Sequence, residues 1–148
     1  LRVDVIGEGP ERRRLELEAA RLGIAERTRF HGFLDCPRRD DLVGAARVAV
    51  MPSNLEGFGL TALEAASLGT PVVASDAPGL RDAVRNGRTG LLARTGDDAD
   101  FANRIGWLLD DDGMAERMSG EARSWSREFN WNESASEIGA SIDALVAA

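Results

Sequence analysis

Apolar and polar positions along the chain follow two alternating rhythms. Short apolar or β-branched runs at residues 2–6, 28–30, 48–51, 71–74 and 90–93 have the length and composition of strands. Stretches of helical period separate them. Residues 11–22 place Leu15, Ala19 and Leu22 on one face and stop at Gly23, a residue suited to a helix end. Shorter helices are predicted over 40–46 and 60–68, the second halting at Gly69, with one or two helical turns over 79–85. Three helices, over 98–109, 114–127 and 132–146, close the chain, and Asn130 and Glu133 have capping-box spacing for the last of them. This alternation predicts an α/β fold: a Rossmann-like parallel sheet with helices on both faces, joined by right-handed crossovers. With no repeat, low-complexity tract or interior linker, residues 1–148 read as a single domain.

In sheets of this kind ligands bind beyond the carboxyl ends of the strands. The segments predicted there are Gly7-Glu8-Gly9, Gly32-Phe33-Leu34, residues 53–59 and residues 75–79. The third leads into the most informative stretch of the chain, Glu56-Gly57-Phe58-Gly59-Leu60-Thr61-Ala62-Leu63-Glu64-Ala65. Residues 60–68 are apolar on nearly every side, so this helix is predicted to sit in the interior with Glu64 as its only charge. An unpaired carboxylate in a dry core costs about several kcal/mol. Glu64 is therefore predicted to face a cleft that donates hydrogen bonds to it. Gly57 and Gly59 carry no Cβ and let a ligand come close to the backbone. The amides of Phe58, Gly59, Leu60 and Thr61, at a helix N-terminus, favour anions or hydroxyl oxygens. Gly7-Glu8-Gly9-Pro10 lacks the third glycine of a dinucleotide fingerprint, because Arg12 and Arg13 occupy that region, and reads as a turn that opens a helix.

The Glu56 to Ala65 stretch resembles the donor-site signature of the retaining glycosyltransferases of family 4, which have the GT-B fold. Their pattern is Glu, seven residues, Glu, with Gly-Phe-Gly-Leu after the first acid and Ala after the second, as in Glu56-Gly57-Phe58-Gly59-Leu60 and Leu63-Glu64-Ala65. The resemblance implies a C-terminal, nucleotide-sugar-binding domain. It implies that Glu56 contacts the donor sugar, that the amides of Gly57 through Thr61 bind sugar oxygens and the diphosphate, and that Glu64 accepts hydrogen bonds from the ribose. Gly7-Glu8-Gly9-Pro10 is similar to the family's Gly-x-Gly-Pro segment, which brings Gly9 toward the donor. Phe30-His31-Gly32-Phe33-Leu34 is similar to its Phe-x-Gly loop, where the backbone of Gly32, Phe33 and Leu34 reads the base. Asp82 stands where the family has Glu, one methylene longer, and is given no role. Gly87-Arg88-Thr89-Gly90 matches a structural turn, and Phe129-Asn130-Trp131 the aromatic lead-in to the last helix.

Composition narrows the function classes. A net charge of −7 and a pI near 4.8 argue against nucleic acid as a partner. Cys36 is the single cysteine and His31 the single histidine, which leaves no disulfide framework, no zinc cluster and no histidine triad. His31 reads as structural, Trp107 and Trp125 as core or inter-helix packing, and Asp110-Asp111-Asp112 as a solvated helix end. No apolar run has the length of a membrane span and no signal peptide is legible. A reducing cytoplasm fits, with peripheral attachment to the inner face of a membrane implied where the acceptor is lipid-linked.

All eighteen basic residues are arginine. The family's first strand and helix carry an Arg and a Lys that clamp the diphosphate. The resemblance begins at the second strand, so that clamp and the N-terminal acceptor domain are expected elsewhere, with a gap in the sheet. The expected function is retaining transfer of a glycosyl group from a nucleoside diphosphate sugar to a hydroxyl of a glycan, lipid or small molecule. Neither cofactor nor metal is called for, and these residues alone are expected to be inactive. The alternative is a non-catalytic nucleotide- or sugar-binding module of the same fold.

Overall fold

The computed structural model describes residues 1–146, which divide into two units, the first Leu1–Ala45 and the second beginning at Ala46. In the first, β1 (Val3–Ile6) leads into α1 (Arg12–Arg21), a short 3-10 turn (Ala25–Arg27), β2 (Thr28–Gly32) and α2 (Cys36–Gly44). β1 and β2 pair in parallel from Val3 opposite Thr28 to Ile6 opposite Gly32, with a register shift after Val5. Beyond the parallel ladder the Gly7 amide donates to the Gly32 carbonyl at 2.8 Å in an isolated antiparallel bridge. Of the apolar stripe on α1 only Ala19 is buried; Leu15 and Leu22 are exposed. α2 begins four residues earlier than the predicted 40–46. The reason is local: the Asp35 carboxylate accepts from the Arg38 amide at 3.2 Å, and Pro37 sits in the first turn.

In the second unit β3 (Ala49–Met51), α3 (Leu60–Ser67), β4 (Val72–Ser75), α4 (Leu80–Ala83) and β5 (Gly90–Ala93) precede three helices, α5 (Asp98–Asp110), α6 (Asp112–Ser126) and α7 (Trp131–Val146). β4 is central, paired in parallel with β3 and with β5. All four of its residues are buried, which requires cover on both faces because successive side chains alternate. Val73, Leu91, Ala93, Leu108 and Met118 form the core on one side, flanked by Phe101 and Ile105. α3 packs against β3, β4 and α6. Asp97 caps α5 and Asp111 caps α6, accepting from the Asp100 and Met114 amides at 2.9 and 2.8 Å. The acidic triplet is thus a helix junction, with Asp112 bonded to Arg47 at 2.5 Å. The Asn130 cap of α7 is formed, its side chain accepting from the Glu133 amide at 2.8 Å.

The five strands form two parallel ladders, β1-β2 and β3-β4-β5, which matches the expected gap in the sheet. Two expectations are corrected. Trp107 is 53% exposed, because the buried stripe of α5 runs through Phe101, Ile105 and Leu108 and leaves position 107 one step off it. α3 is not interior all round: Leu60, Thr61 and Glu64 are exposed while Ala62, Leu63, Ala65 and Ala66 are buried. Among the described residues no helix is long and apolar enough to cross a membrane.

His31 adds a side-chain link between the two strands of the first unit, its Nε2 lying 2.7 Å from Asp4 Oδ1 across the β1-β2 pair. That hydrogen bond, more than the neighbouring Arg2, holds the Asp4 carboxyl below its ordinary range, against an opposing effect of burial. A carboxyl whose pKa is depressed by folding stabilises the fold above its unfolded value and loses that contribution as pH falls through the lowered one. Asp4→Asn is therefore expected to lower the urea midpoint at pH 5 and above. The gap from the parent should close as the pH drops below about 4. A gap of constant size from pH 5 to pH 3 would show that the Asp4 charge contributes nothing.

Candidate functional site

β3 ends at Met51, and residues 52–59 form the turn into α3. Gly59 is the N-cap, with φ 82° and ψ 39°, and therefore caps the helix without a side chain. The Ala62 and Leu63 amides turn back onto the Gly59 carbonyl at 2.9 and 3.2 Å. The amides ahead of them, of Leu60 and Thr61, lie in the first turn, where a helix offers no intrahelical acceptor. Phe58, Leu60 and Thr61 are exposed, as are Glu56 and Gly57 in the loop and Glu64 one turn into the helix. The Glu56–Glu64 segment thus has two exposed carboxylates with Gly57, Phe58, Leu60 and Thr61 exposed between them, while Gly59, Ala62 and Leu63 are buried. The burial penalty expected of Glu64 does not arise, because it shares the exposed face of α3 with Leu60 and Thr61.

The loop is held from the side by the turn after β4. Gly79 has φ 80° and ψ −48°. A Cβ on Gly79 would overlap the Glu56 carbonyl oxygen and come within 2.8 Å of its carbon. The Glu56 amide reaches the Pro78 carbonyl at 3.4 Å. A Cβ on Gly59 would in turn meet Ala83 Cβ at 3.0 Å and Leu80 Cδ2 at 3.2 Å. Asp76, just before, accepts from the Arg81 guanidinium, while its carbonyl accepts from Thr95 Oγ1 at 3.2 Å. Asp82 is exposed in the first turn of α4.

In the first unit, Gly9 is exposed at the start of α1, its carbonyl accepting from the Arg12 amide at 3.2 Å. Gly32 is buried with φ 72°. The Glu8 carboxylate covers its α-carbon, leaving no room for a Cβ. Arg12 ties Glu8 down at 3.1 Å while donating to the Phe30 carbonyl at 3.1 Å. Phe33 is 84% exposed and Leu34 half-buried. Glu8, Arg12 and Gly79 support these segments. Glu8 and Gly79 lie in segments that the sequence places at the carboxyl edge, but their supporting contacts, and the part played by Arg12 at the start of α1, are not legible there.

The sequence model of the family described as glycosyl transferases group 1 matches residues 1–125. The chain is 43% identical over 121 residues to the D-inositol 3-phosphate glycosyltransferase of Streptomyces scabiei, covering 82% of this chain and 27% of that protein. It is similar to a sucrose-phosphate synthase structure from Thermosynechococcus elongatus, with a TM-score of 0.88, 34% identity, and coverage of 97% of this chain and 38% of that one. It is also similar to Anabaena HepE in complex with UDP, with a TM-score of 0.87, 26% identity, and coverage of 97% and 41%. The chain spans about a quarter to a third of the length of the curated relatives it matches.

Gly79 lets the Glu56 loop approach the β4–α4 turn. Replacing it with alanine forces a side chain into a conformation that costs about 1–3 kcal/mol, and adds an overlap with the Glu56 carbonyl. Gly79→Ala is expected to lower unfolding stability by at least that range in chemical denaturation. Stability equal to the parent would mean that the two turns do not lean on each other.

Proposed function

The chain belongs to the glycosyl transferases group 1 family, and from that premise we propose that residues 1–148 form the donor-binding part of a retaining enzyme. Its donor is a nucleoside diphosphate sugar and its acceptor a hydroxyl group. The observation that carries this reading is the exposed Glu56–Glu64 segment, with backbone donors between two carboxylates. Hydroxyl-rich groups suit carboxylates, which accept without donating, and a diphosphate suits a helix N-terminus. Glu56 takes the sugar hydroxyls, the amides of Phe58 to Thr61 take the phosphate and sugar oxygens, and Glu64 takes the ribose. The UDP, UDP-and-glucose and UDP-glucose complexes of Anabaena HepE support a uridine nucleotide donor.

Such transfer asks the protein for positioning and charge stabilisation more than for a side-chain base. Charge builds on the departing diphosphate, where the α3 amides stand ready without reorganising. Glu56 sits at the sugar and fixes it against the incoming hydroxyl. The acceptor side belongs to the remainder of the longer relatives. Cys36, exposed and the only cysteine, suits a reducing compartment, and the reading places the reaction in the cytoplasm.

Two substitutions in the full-length protein divide these roles. Glu64→Ala is expected to weaken binding of a nucleoside diphosphate by about 1–3 kcal/mol, the range for a charged hydrogen bond. Calorimetry with UDP, GDP and ADP checks this, and no heat with any of the three would sink the reading. Glu56→Gln is expected to leave the thermal midpoint and the free-diphosphate affinity nearly unchanged while turnover falls strongly. Equal losses of affinity for diphosphate and sugar nucleotide would show that Glu56 does not meet the sugar. Tight binding with no transfer by the parent protein would assign the non-catalytic alternative.

A further inference from the structure

Residues far along the chain reach the loop that carries Glu56. The Phe58 ring, 38% exposed, meets Phe129 edge-on with centroids 5.5 Å apart and planes at 67°. Phe129 follows α6 and meets Trp125 at 4.6 Å and 89°. Trp125 lies in the last turn of α6 and donates its indole N–H to the Ala83 carbonyl of α4 at 2.9 Å. The Arg85 guanidinium sits 3.5 Å from the Trp125 ring centroid and pairs with Glu128 at 3.8 Å. α4 is also the element against which Gly59 rests, through Leu80 and Ala83. The Phe58-Gly59 step is therefore clamped between α4 on one side and Phe129 on the other, and Trp125 ties the two jaws together.

We propose that Phe129 is a positioning residue for Glu56. Acting through Phe58, it fixes the backbone on which the Glu56 carboxylate and the Phe58 and Gly59 amides are mounted. This rests on the donor-site reading of Glu56 given above. Phe129 lies outside the core of the second unit, which is built on Val73, Leu91, Ala93, Leu108 and Met118. Removing its ring chiefly releases the loop. Glu64 is held differently, by the buried Ala62, Leu63, Ala65 and Ala66 of its own helix. The two acids should thus respond separately. A displacement of the loop by about an ångström is enough to lower turnover of the order of a hundredfold, while the helix that meets the nucleotide keeps its place.

The test uses the full-length protein, the diphosphates UDP, GDP and ADP, and the donor it turns over from UDP-, GDP- and ADP-glucose. Phe129→Ala and Phe129→Leu are expected to lower kcat about tenfold or more, with diphosphate Kd held within about twofold. Phe129→Tyr, which restores an edge-on ring, should recover turnover. Phe129→Leu keeps apolar volume and decides the matter if Phe129→Ala does not fold. Combining Phe58→Leu with Phe129→Leu should lower kcat no further than either change alone. Unchanged kcat in folded Phe129 variants, equal losses of kcat and diphosphate affinity, or additive losses in the double variant would overturn the positioning role. Those outcomes leave the donor reading intact. A parent protein that binds none of the diphosphates overturns both.

Discussion

The close approach of two glycines with positive φ governs the second unit. Gly59 ends the turn after β3, Gly79 ends the turn after β4, and the surfaces they expose are in contact through Glu56, Leu80 and Ala83. Neither position tolerates a side chain without moving a neighbour. This allows the Glu56 loop to lie flat against α4, and it lets α3 begin with bare amides at its first turn. Without the approach, the segment would still form a helix, because Ala62, Leu63, Ala65 and Ala66 bury one face of α3 regardless. It would not hold its two carboxylates in fixed relation.

The acids are mounted on elements of unequal stiffness. Glu64 sits in a helix anchored by four buried residues, and its position follows from that packing. Glu56 sits in irregular backbone whose one ladder-like contact is the 3.4 Å reach to Pro78. Loops of this kind open at lower free energy than the elements they join. A site that must bind tightly at one end and reposition at the other gains from this difference. On the proposed reading, the nucleotide end is preformed while the sugar end is adjusted by what leans on it, from Gly79, Phe58 and Phe129.

The elements were legible where composition alone decides them. β5 (Gly90–Ala93) lies where the apolar run predicts it, and the ends of α3 and α5 fall within a residue of their signals. α2 was placed late because its short apolar pattern outweighed the Asp35-Pro37 start signal that fixes its first turn. The division into two ladders is legible only through the family resemblance, which begins at the second strand and implies a gap; periodicity alone does not carry it, since pairing depends on contacts distant in sequence. The same holds for the site. Glu56, Glu64 and the glycines between them stand out as local pattern. Gly79, Phe129 and Trp125 act on that pattern from 15 or more positions away; their neighbourhoods mark a turn, an aromatic lead-in and a packing residue, but not their contact with the Glu56 loop.

If the donor is a diphosphate sugar as proposed, charge imposes a last constraint on how it is met. Two carboxylates flank the donor segment, and the chain carries a net charge of −7, so the field at the site is not attractive to an anion by default. Many of the guanidinium groups are already engaged structurally: Arg12 with Glu8 and Glu16, Arg47 with Asp112, Arg81 with Asp76, Arg88 with Glu121 and Arg104 with Asp100. These pairs, most of them between exposed side chains, engage those guanidinium groups within the fold. What the segment itself offers an anion is therefore the first turn of α3. Its oriented amides supply partial positive charge within a single turn and lose it beyond. That short range explains why the turn must be tight. A glycine at position 59 lets the Glu56 loop run straight into the first turn of α3, the arrangement the proposed diphosphate sugar needs to touch both.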